Sequence, residues 1–360
     1  MNNQDRSARG FMNDAEFVRK VLIVLGITLL ALLLWKLSDV LLLAFGAVLV
    51  AILLHAASDA LVRFLKVPSR WSLTAASLLI FILFLAIIAL FGTQVRAQFS
   101  NVVERLPFAV DNFSKQLGLG PVSDDLSEIV SNAPTGGMAA RLAGIGGAIL
   151  NGLADFILVV IAGLYIAAAP RLYREGFVKL FPMHHHPRVH SSLQASGEAL
   201  KLWLTSQLIA MACVAVLSTI AFWLIGLPSA LALGLIAGIA DFIPFLGPIL
   251  GALPAILIAF SVSGEAALWT VLAVMAIQQI EGNVIFPLVA RHVISVPPAL
   301  ALFAILIGSV LFGTLGLIFG FPLAVVTYVL VKKLYVRETL GEQTDVPGEP
   351  GSGSRQEAGS

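Results

Sequence analysis

Long apolar stretches that are nearly free of charge constrain this 360-residue chain more than any other feature. A helix needs about 20 predominantly apolar residues to cross the ~30 Å hydrocarbon core of a bilayer. Two long stretches, 228–262 and 297–331, are each interrupted by Gly and Pro near the middle. The clear runs are 21–35, 40–57, 71–91, 149–169, 205–225 and 266–286. We therefore expect an all-α, polytopic transmembrane protein with about six full spans and two broken hairpins, which makes eight or more membrane segments.

Charged side chains are too few to cover a water-soluble protein of this length. They make up 12% of the chain, against ~25% in a typical soluble domain, and 58% of the residues are hydrophobic. This composition excludes a cytosolic globular enzyme and a disordered chain. The net charge of +1 gives no indication of a nucleic-acid partner, and the single cysteine, Cys213, excludes an intramolecular disulfide. The expected partner of this surface is the lipid bilayer.

Arg and Lys residues form four groups, and counting the spans in order places all four on one side of the membrane. Basic residues beside spans mark the cytoplasmic side. The groups lie in the N-terminal tail 1–20, the loop 63–70, the segment 171–201 and the end 332–337. Both termini are therefore expected in the cytoplasm.

The same pattern divides the chain into five regions. Segment 92–148 has mixed charges and helically spaced apolar residues, which predict amphipathic helices on the outer surface. The polar C-terminal tail, with prolines and a Gly-Ser run, predicts disorder. The regions are a cytoplasmic tail 1–20, three spans within 21–91, the extracytoplasmic segment 92–148, a core membrane domain 149–337 and a disordered cytoplasmic tail 338–360.

The two broken stretches resemble each other at an offset of 69 residues. Between 228–255 and 297–324, eleven of 28 positions are identical without a gap. Because a single span, 266–286, separates the stretches, two re-entrant hairpins would enter the membrane from opposite faces, as in inverted-repeat transporters. Simple kinked helix pairs and full crossings also satisfy the charge distribution. The first arm favours a hairpin, because ~15 residues rising ~1.5 Å each cannot cross the hydrocarbon.

Polar residues at membrane depth are costly, so they are the candidate functional residues. Segment 241–248, DFIPFLGP, contains two prolines that lack N–H groups, so it should unwind and leave carbonyls in need of partners. Four polar residues crowd the end of the run 266–286, where helical spacing pairs Gln278 with Glu281 and Gln279 with Asn283. The candidate solute or ion pathway comprises Asp241, Pro244, Gly247, Pro248, Gln278, Gln279, Glu281, Asn283, Pro287 and Gly316.

Structural alternatives exist for several of these residues. Asp241 would also suit a solvated turn that caps a helix, and Glu281 a helix end at the membrane surface. Trp71 and Trp203 lie near the starts of spans and are interpreted as interfacial anchors. The histidines of 183–190 predict a solvated cytoplasmic loop, because adjacent histidines on a helix diverge, so no metal or cofactor is expected.

Three motifs resemble signatures of the autoinducer-2 exporter family of bacterial transporters. They are GLPSA at 226–230 followed by DFIPFLGPILGALP at 241–254, QQIEGNVIFP at 278–287, and FGTLGLIFGFP at 312–322. The resemblance covers roughly 15–336 and is strongest from 200 onward. It implies a multi-pass protein of the bacterial inner membrane, with some members linked to export of the signal autoinducer-2 and others to sodium/proton exchange. Members commonly have Asn where this chain has Asp241.

These features favour a secondary transporter or exporter of a small polar or ionic solute, with H⁺ or Na⁺ as candidate coupling ions. The alternatives are a channel or passive pore assembled as a homo-oligomer and, ranked lower, a membrane enzyme or scaffold. No GxxxxGK[ST], GxSxG or HExxH motif occurs, so neither an ATP-driven motor nor an enzyme is expected. Glu281 with Gln278, and carbonyls of 241–248, are expected to form the polar site, because a carboxylate in apolar surroundings has its charged form disfavoured.

Overall fold

The computed structural model describes residues 4–82, 85, 152, 154–289, 296–342 and 344–347, with side chains from Glu16 onward. This part of the chain is helical and has no strand, which confirms the all-α prediction. The predicted outer helices of 92–148 lie outside the described residues.

The helices follow the apolar runs closely but extend beyond several of them. They are α1 (Gln4–Lys36), α2 (Ser38–Leu65), α3 (Ser69–Ile82), α4 (Ala154–Ala168), α5 (Pro170–Val178), α6 (His186–Ile225), α7 (Ala230–Ala240), α8 (Gly247–Val262), α9 (Gly264–Ile280), α10 (Phe286–Val289) and α11 (Pro298–Leu330). A 3-10 turn, Met183–His185, precedes α6, and wider π-helical turns, Glu281–Ile285 and Val331–Arg337, follow α9 and α11.

Among the described residues, five helices are long and apolar enough to cross a membrane, or six if α4 and α5 form one span. This count supports a multi-pass membrane protein but does not confirm eight or more segments. Helices α7 and α8 are too short to be counted. The count takes Pro298–Arg337 as one span, although the backbone of α11 reverses within it at Gly313.

Both Gly/Pro-broken stretches fold back on themselves. The arms α7 and α8 pack together around a non-helical tip, 241–246, and Gly251 approaches the backbone of Ala237. In α11, Gly313 has φ 59° and ψ −137°, and the backbones of Gly308 and Gly316 are in contact. A straight helix would hold residues eight positions apart at ~12 Å. We call these elements hairpin 1 (α7–α8) and hairpin 2 (the two arms of α11).

Hairpin 1 runs along α6 starting from the C-terminal end of that helix. Gly234, early in α7, lies against Thr219. At the end of α7, the carbonyl of Asp241 accepts a hydrogen bond of 2.6 Å from Gln207 Nε2. The tip of hairpin 1 therefore reaches the middle of α6 and points towards its N-terminus.

Hairpin 2 runs along α6 in the opposite sense. Phe321, in the second arm, stacks against Trp203 with 5.3 Å between ring centroids. Farther along, Lys333 Nζ donates to the Ser191 carbonyl at 3.0 Å. The second arm thus descends to the N-terminal end of α6, so the tips of the two hairpins point towards each other.

Three of the four predicted basic groups lie at one end of the helix bundle. Two ion pairs join α6, which carries one group, to residues next to two others. Lys201 Nζ lies 2.7 Å from Asp59 Oδ2, which joins α6 to the end of α2. Arg188 Nε lies 3.2 Å from Glu338 Oε2, which joins the start of α6 to the segment after α11. The arrangement agrees with the single basic side that the charge pattern predicts.

Two expectations differ from the structure at this end of the bundle. Trp203 is 5% exposed and packs against Phe242 and Phe321, so it is not an interfacial anchor. The reason is that α6 begins at His186, within the predicted histidine loop and well before the apolar run, so Trp203 lies inside a 40-residue helix. The predicted histidine loop is a 3-10 turn followed by the first residues of α6. After α11, Val346 is buried in the same core cluster as Trp203.

Candidate functional site

A cavity of about 940 Å³ lies where the tip of hairpin 1, the end of α9, the middle of α6 and the start of α11 meet. Its wall is mostly apolar and contains a few polar side chains. Such a composition is typical of a small-molecule site. The candidate residues in the wall are Asp241, Pro244, Pro248, Gln278, Gln279 and Glu281, whereas Gly247, Asn283, Pro287 and Gly316 are not part of it.

Asp241 is the most buried acidic side chain of this cavity. Only 2% of the residue is exposed, and its Oδ2 has no hydrogen-bond partner among the described residues. The prolines of the tip prevent the helix from continuing, and Gln207 binds the carbonyl that this break releases. The unwound segment and its need for a partner agree with the sequence prediction, although Gln207 was not identified as that partner.

Glu281 lies at a wider turn of the neighbouring helix. Between Glu281 and Ile285 the backbone changes to π-helical spacing, and the Phe286 N–H donates to the Glu281 carbonyl. Single π-helical turns occur frequently at functional sites. The Glu281 carboxylate accepts a hydrogen bond of 3.0 Å from Gln278 Nε2, which is the predicted i, i+3 pair.

The second predicted pair forms on the more exposed side of the same helix. Asn283 Nδ2 donates to the Gln279 side-chain oxygen at 3.0 Å and to its carbonyl at the same distance. Gln279 still reaches the cavity wall, whereas Asn283 is exposed and lies outside it. The four polar residues therefore divide between the cavity and the outer surface.

The glycines outside the wall have a packing function. Gly247 lies directly against the backbone of Ala240 and Asp241, and Gly316 against the backbone of Gly308. A side chain at either position would overlap backbone atoms. These residues close the two hairpins and so set the positions of the groups that do line the cavity.

The residues that the sequence analysis missed come mainly from α6. Trp203 and Gln207 both line the cavity, and Trp203 joins Phe242 of hairpin 1 to Phe321 of hairpin 2. Gln207 was detectable as an amide in an otherwise apolar run. The position of Trp203 depends on how the two hairpins pack, which a single run of sequence does not contain.

The charge of the wall favours protons, cations or neutral solutes over anions. Its described residues include Asp241 and Glu281, but no Lys, Arg or His. The two carboxylates come from different elements and line the same cavity.

Comparison with known proteins places this architecture in a family. Residues 21–335 match the sequence model described as AI-2E family transporter. The chain belongs to the AI-2E transporter family. The match spans both hairpins and the cavity, and it confirms the resemblance seen in the three motifs.

Curated relatives in this family have names that indicate transport. "Putative transport protein YueF" of Bacillus subtilis is 26% identical over 285 residues, which cover 73% of this chain and 76% of that protein. "Putative transport protein YrrI" of the same organism is 32% identical over 167 residues. That match covers 46% of this chain and 47% of YrrI, so the chain spans about half of that relative. A "Putative transport protein" of Thermotoga maritima is 28% identical over 167 residues, 46% of this chain and 51% of that protein.

Proposed function

We propose that this AI-2E family protein is a secondary transporter that carries a small polar or ionic solute through the cavity between its hairpins. The observation that supports the proposal is the pairing of two carboxylates from different elements in one cavity. Asp241 belongs to the unwound tip of hairpin 1, and Glu281 to the π-helical turn after α9. Ionisable residues at membrane depth commonly mark ion and proton pathways.

The opposed hairpins suggest how access to the cavity alternates. We interpret them as an inverted repeat embedded in the inner membrane, with both termini in the cytoplasm. In such transporters, unwound helix ends hold the solute near the bilayer midplane, and one repeat moves against the other. Movement of hairpin 1 would shift Asp241 relative to Glu281 and expose the cavity to one side at a time.

The two carboxylates provide a coupling mechanism. When one side chain binds H⁺ or Na⁺, the repulsion between the pair falls, and the closed arrangement of the tip against α9 becomes more favourable. Release of the cation on the other side restores the repulsion. Gln278, which donates to Glu281 at 3.0 Å, would hold that carboxylate in position through the cycle.

Flux measurements in proteoliposomes test this proposal. An imposed proton or sodium gradient should drive uptake of at least one member of a panel of small solutes. Glu281→Gln should abolish the gradient-driven flux, because it keeps the shape of the side chain but removes its charge. Glu265→Gln is the matched control: Glu265 begins the same helix, is exposed and lies outside the cavity, so this variant should transport normally.

Other outcomes identify the competing functions. A channel or passive pore, including one assembled from several copies, would conduct the solute without any gradient of a coupling ion. An enzyme or scaffold would give no flux under any condition. Wild-type flux in Glu281→Gln at normal expression would contradict the role of Glu281, which would then be a helix-capping residue.

A further inference from the structure

Helix α5 leaves the bundle almost at a right angle. It turns by 89° from α4, the apolar helix before it. The turn occurs at Ala169, where φ −136° and ψ 57° interrupt the helix, and Pro170 then starts the new one. If α4 crosses the membrane, a helix at this angle lies along the membrane surface.

The side chains of α5 and of the turn after it divide into an exposed apolar face and a set of other side chains that are mainly basic. At about 100° per residue, Tyr173, Phe177 and Leu180 project to one side. This side is turned away from the protein: Leu180 is 78% exposed, and Tyr173 and Phe177 are exposed as well. On another side, Val178 is buried where α5 packs against α6. Among the described residues, Phe177 contacts the neighbouring ring of Phe181 at 5.6 Å between centroids, and the apolar face is otherwise left exposed.

The other side chains of α5, including those on either side of Val178 around the helix, carry mainly positive charge. Arg171, Arg174 and Lys179 are opposed by one acidic residue, Glu175. Arg171 and Lys179 are exposed. An exposed apolar face with cations on the other sides of the helix is the pattern of a helix that lies in the membrane interface and attracts anionic lipid.

We propose that α5 is an interfacial helix that binds anionic phospholipid at the basic side of the membrane. Tyr173, Phe177 and Leu180 enter the border of the acyl chains, and Arg171 and Lys179 bind lipid phosphate. A guanidinium group suits this ligand because it can donate two parallel hydrogen bonds to a phosphate. The proposal rests on the membrane orientation given above and not on transport.

Brominated lipids, which quench a nearby fluorophore, test the proposal on the full-length protein in vesicles. A fluorophore is attached to Leu180→Cys in a Cys213→Ser background. Quenching is measured in two kinds of mixed vesicle, one in which only phosphatidylglycerol is brominated and one in which only phosphatidylcholine is brominated. The ratio of the two quenching values reports the local enrichment of anionic lipid. We expect strong quenching at Leu180, weak quenching at Glu175→Cys, and enrichment of phosphatidylglycerol over phosphatidylcholine.

Charge variants identify the source of that enrichment. R171Q/K179Q should lower it by about fivefold for each removed charge. R171K/K179R keeps both charges and should preserve it. The matched control, K66Q/R70Q, removes two exposed cations, one directly after α2 and one at the start of α3, and should leave enrichment at Leu180 unchanged.

Three results would overturn the proposal. Absence of quenching at Leu180 in every lipid would mean that protein, such as a second copy of the chain, covers this face. An unchanged enrichment of phosphatidylglycerol over phosphatidylcholine in R171Q/K179Q would exclude headgroup binding by the two cations. An equal loss in K66Q/R70Q would mean that the overall surface charge attracts the lipid. None of these readouts depends on flux, so they are distinct from failure of the transport proposal.

Discussion

Hairpin 1 and hairpin 2 fold back in the same way but use different residues to do so. Hairpin 1 has a non-helical tip of six residues, 241–246, which contains a proline and a buried acid. Hairpin 2 reverses at Gly313, with helix on both sides. The only charged side chain of the two tips is Asp241. The comparison indicates that hairpin 1 carries the polar chemistry, whereas hairpin 2 is an apolar packing partner.

Breaking the close contact in hairpin 2 should have the largest effect. In Gly316→Leu, the new side chain overlaps the Gly308 backbone, so we expect the free energy of unfolding to fall by more than about 3 kcal/mol. Thermal unfolding of the purified protein in detergent measures this change. Gly197→Ala is the control, since Gly197 lies in a helix with open space around it, and alanine should stabilise by about 0.5–1 kcal/mol. Wild-type stability in Gly316→Leu would mean that α11 is not folded back.

Removing the charge from hairpin 1 should have an intermediate effect on gradient-driven flux. Asp241→Asn keeps the size of the side chain and removes its charge. We expect a two- to tenfold reduction in flux, because the substitution changes the hydrogen bonding of one buried side chain, which is worth about 0.5–1.5 kcal/mol. Gradient-driven flux in proteoliposomes, measured in parallel for Asp241→Asn and Glu281→Gln, gives the reduction. Complete loss in Asp241→Asn with full flux in Glu281→Gln would reverse the assignment of the two carboxylates.

The smallest expected effect concerns backbone strain at the tip of hairpin 1. Phe245 has a left-handed φ of 68°, which costs a bulky residue about 1–2 kcal/mol. Phe245→Gly relieves this strain but adds chain entropy, so stability should rise by about 1 kcal/mol or less. The reciprocal variant, Gly313→Ala, should lose about 1–3 kcal/mol, because glycine alone tolerates its conformation. Denaturant unfolding measures the change in stability of both variants. A change of the same sign in both would contradict the difference between the two hairpins.

Sequence patterns predicted the parts of this fold that depend on local chemistry. Four of the six clear apolar runs match helices that are long enough to span a membrane, while run 71–91 corresponds among the described residues only to the shorter helix α3. Prolines predicted the unwound tip, and helical spacing predicted the Gln278–Glu281 pair. Contacts between distant segments were not predictable in the same way. The burial of Trp203 and of Val346 depends on how α6, hairpin 2 and the tail pack together. The hydropathy pattern predicted only the second half of α6. The first half contains polar residues and therefore forms no apolar run.

Cysteine accessibility tests the central claim, that two opposed hairpins meet at the cavity, most directly. Single cysteines replace Phe245 and Thr314 in a Cys213→Ser background, and a membrane-impermeant thiol reagent is applied from each side. A third cysteine at Ser191 marks the side of the membrane on which the basic end of the bundle lies. We predict that positions 245 and 314 react from opposite faces of the membrane. Reaction of both positions from the same face would contradict the opposed arrangement.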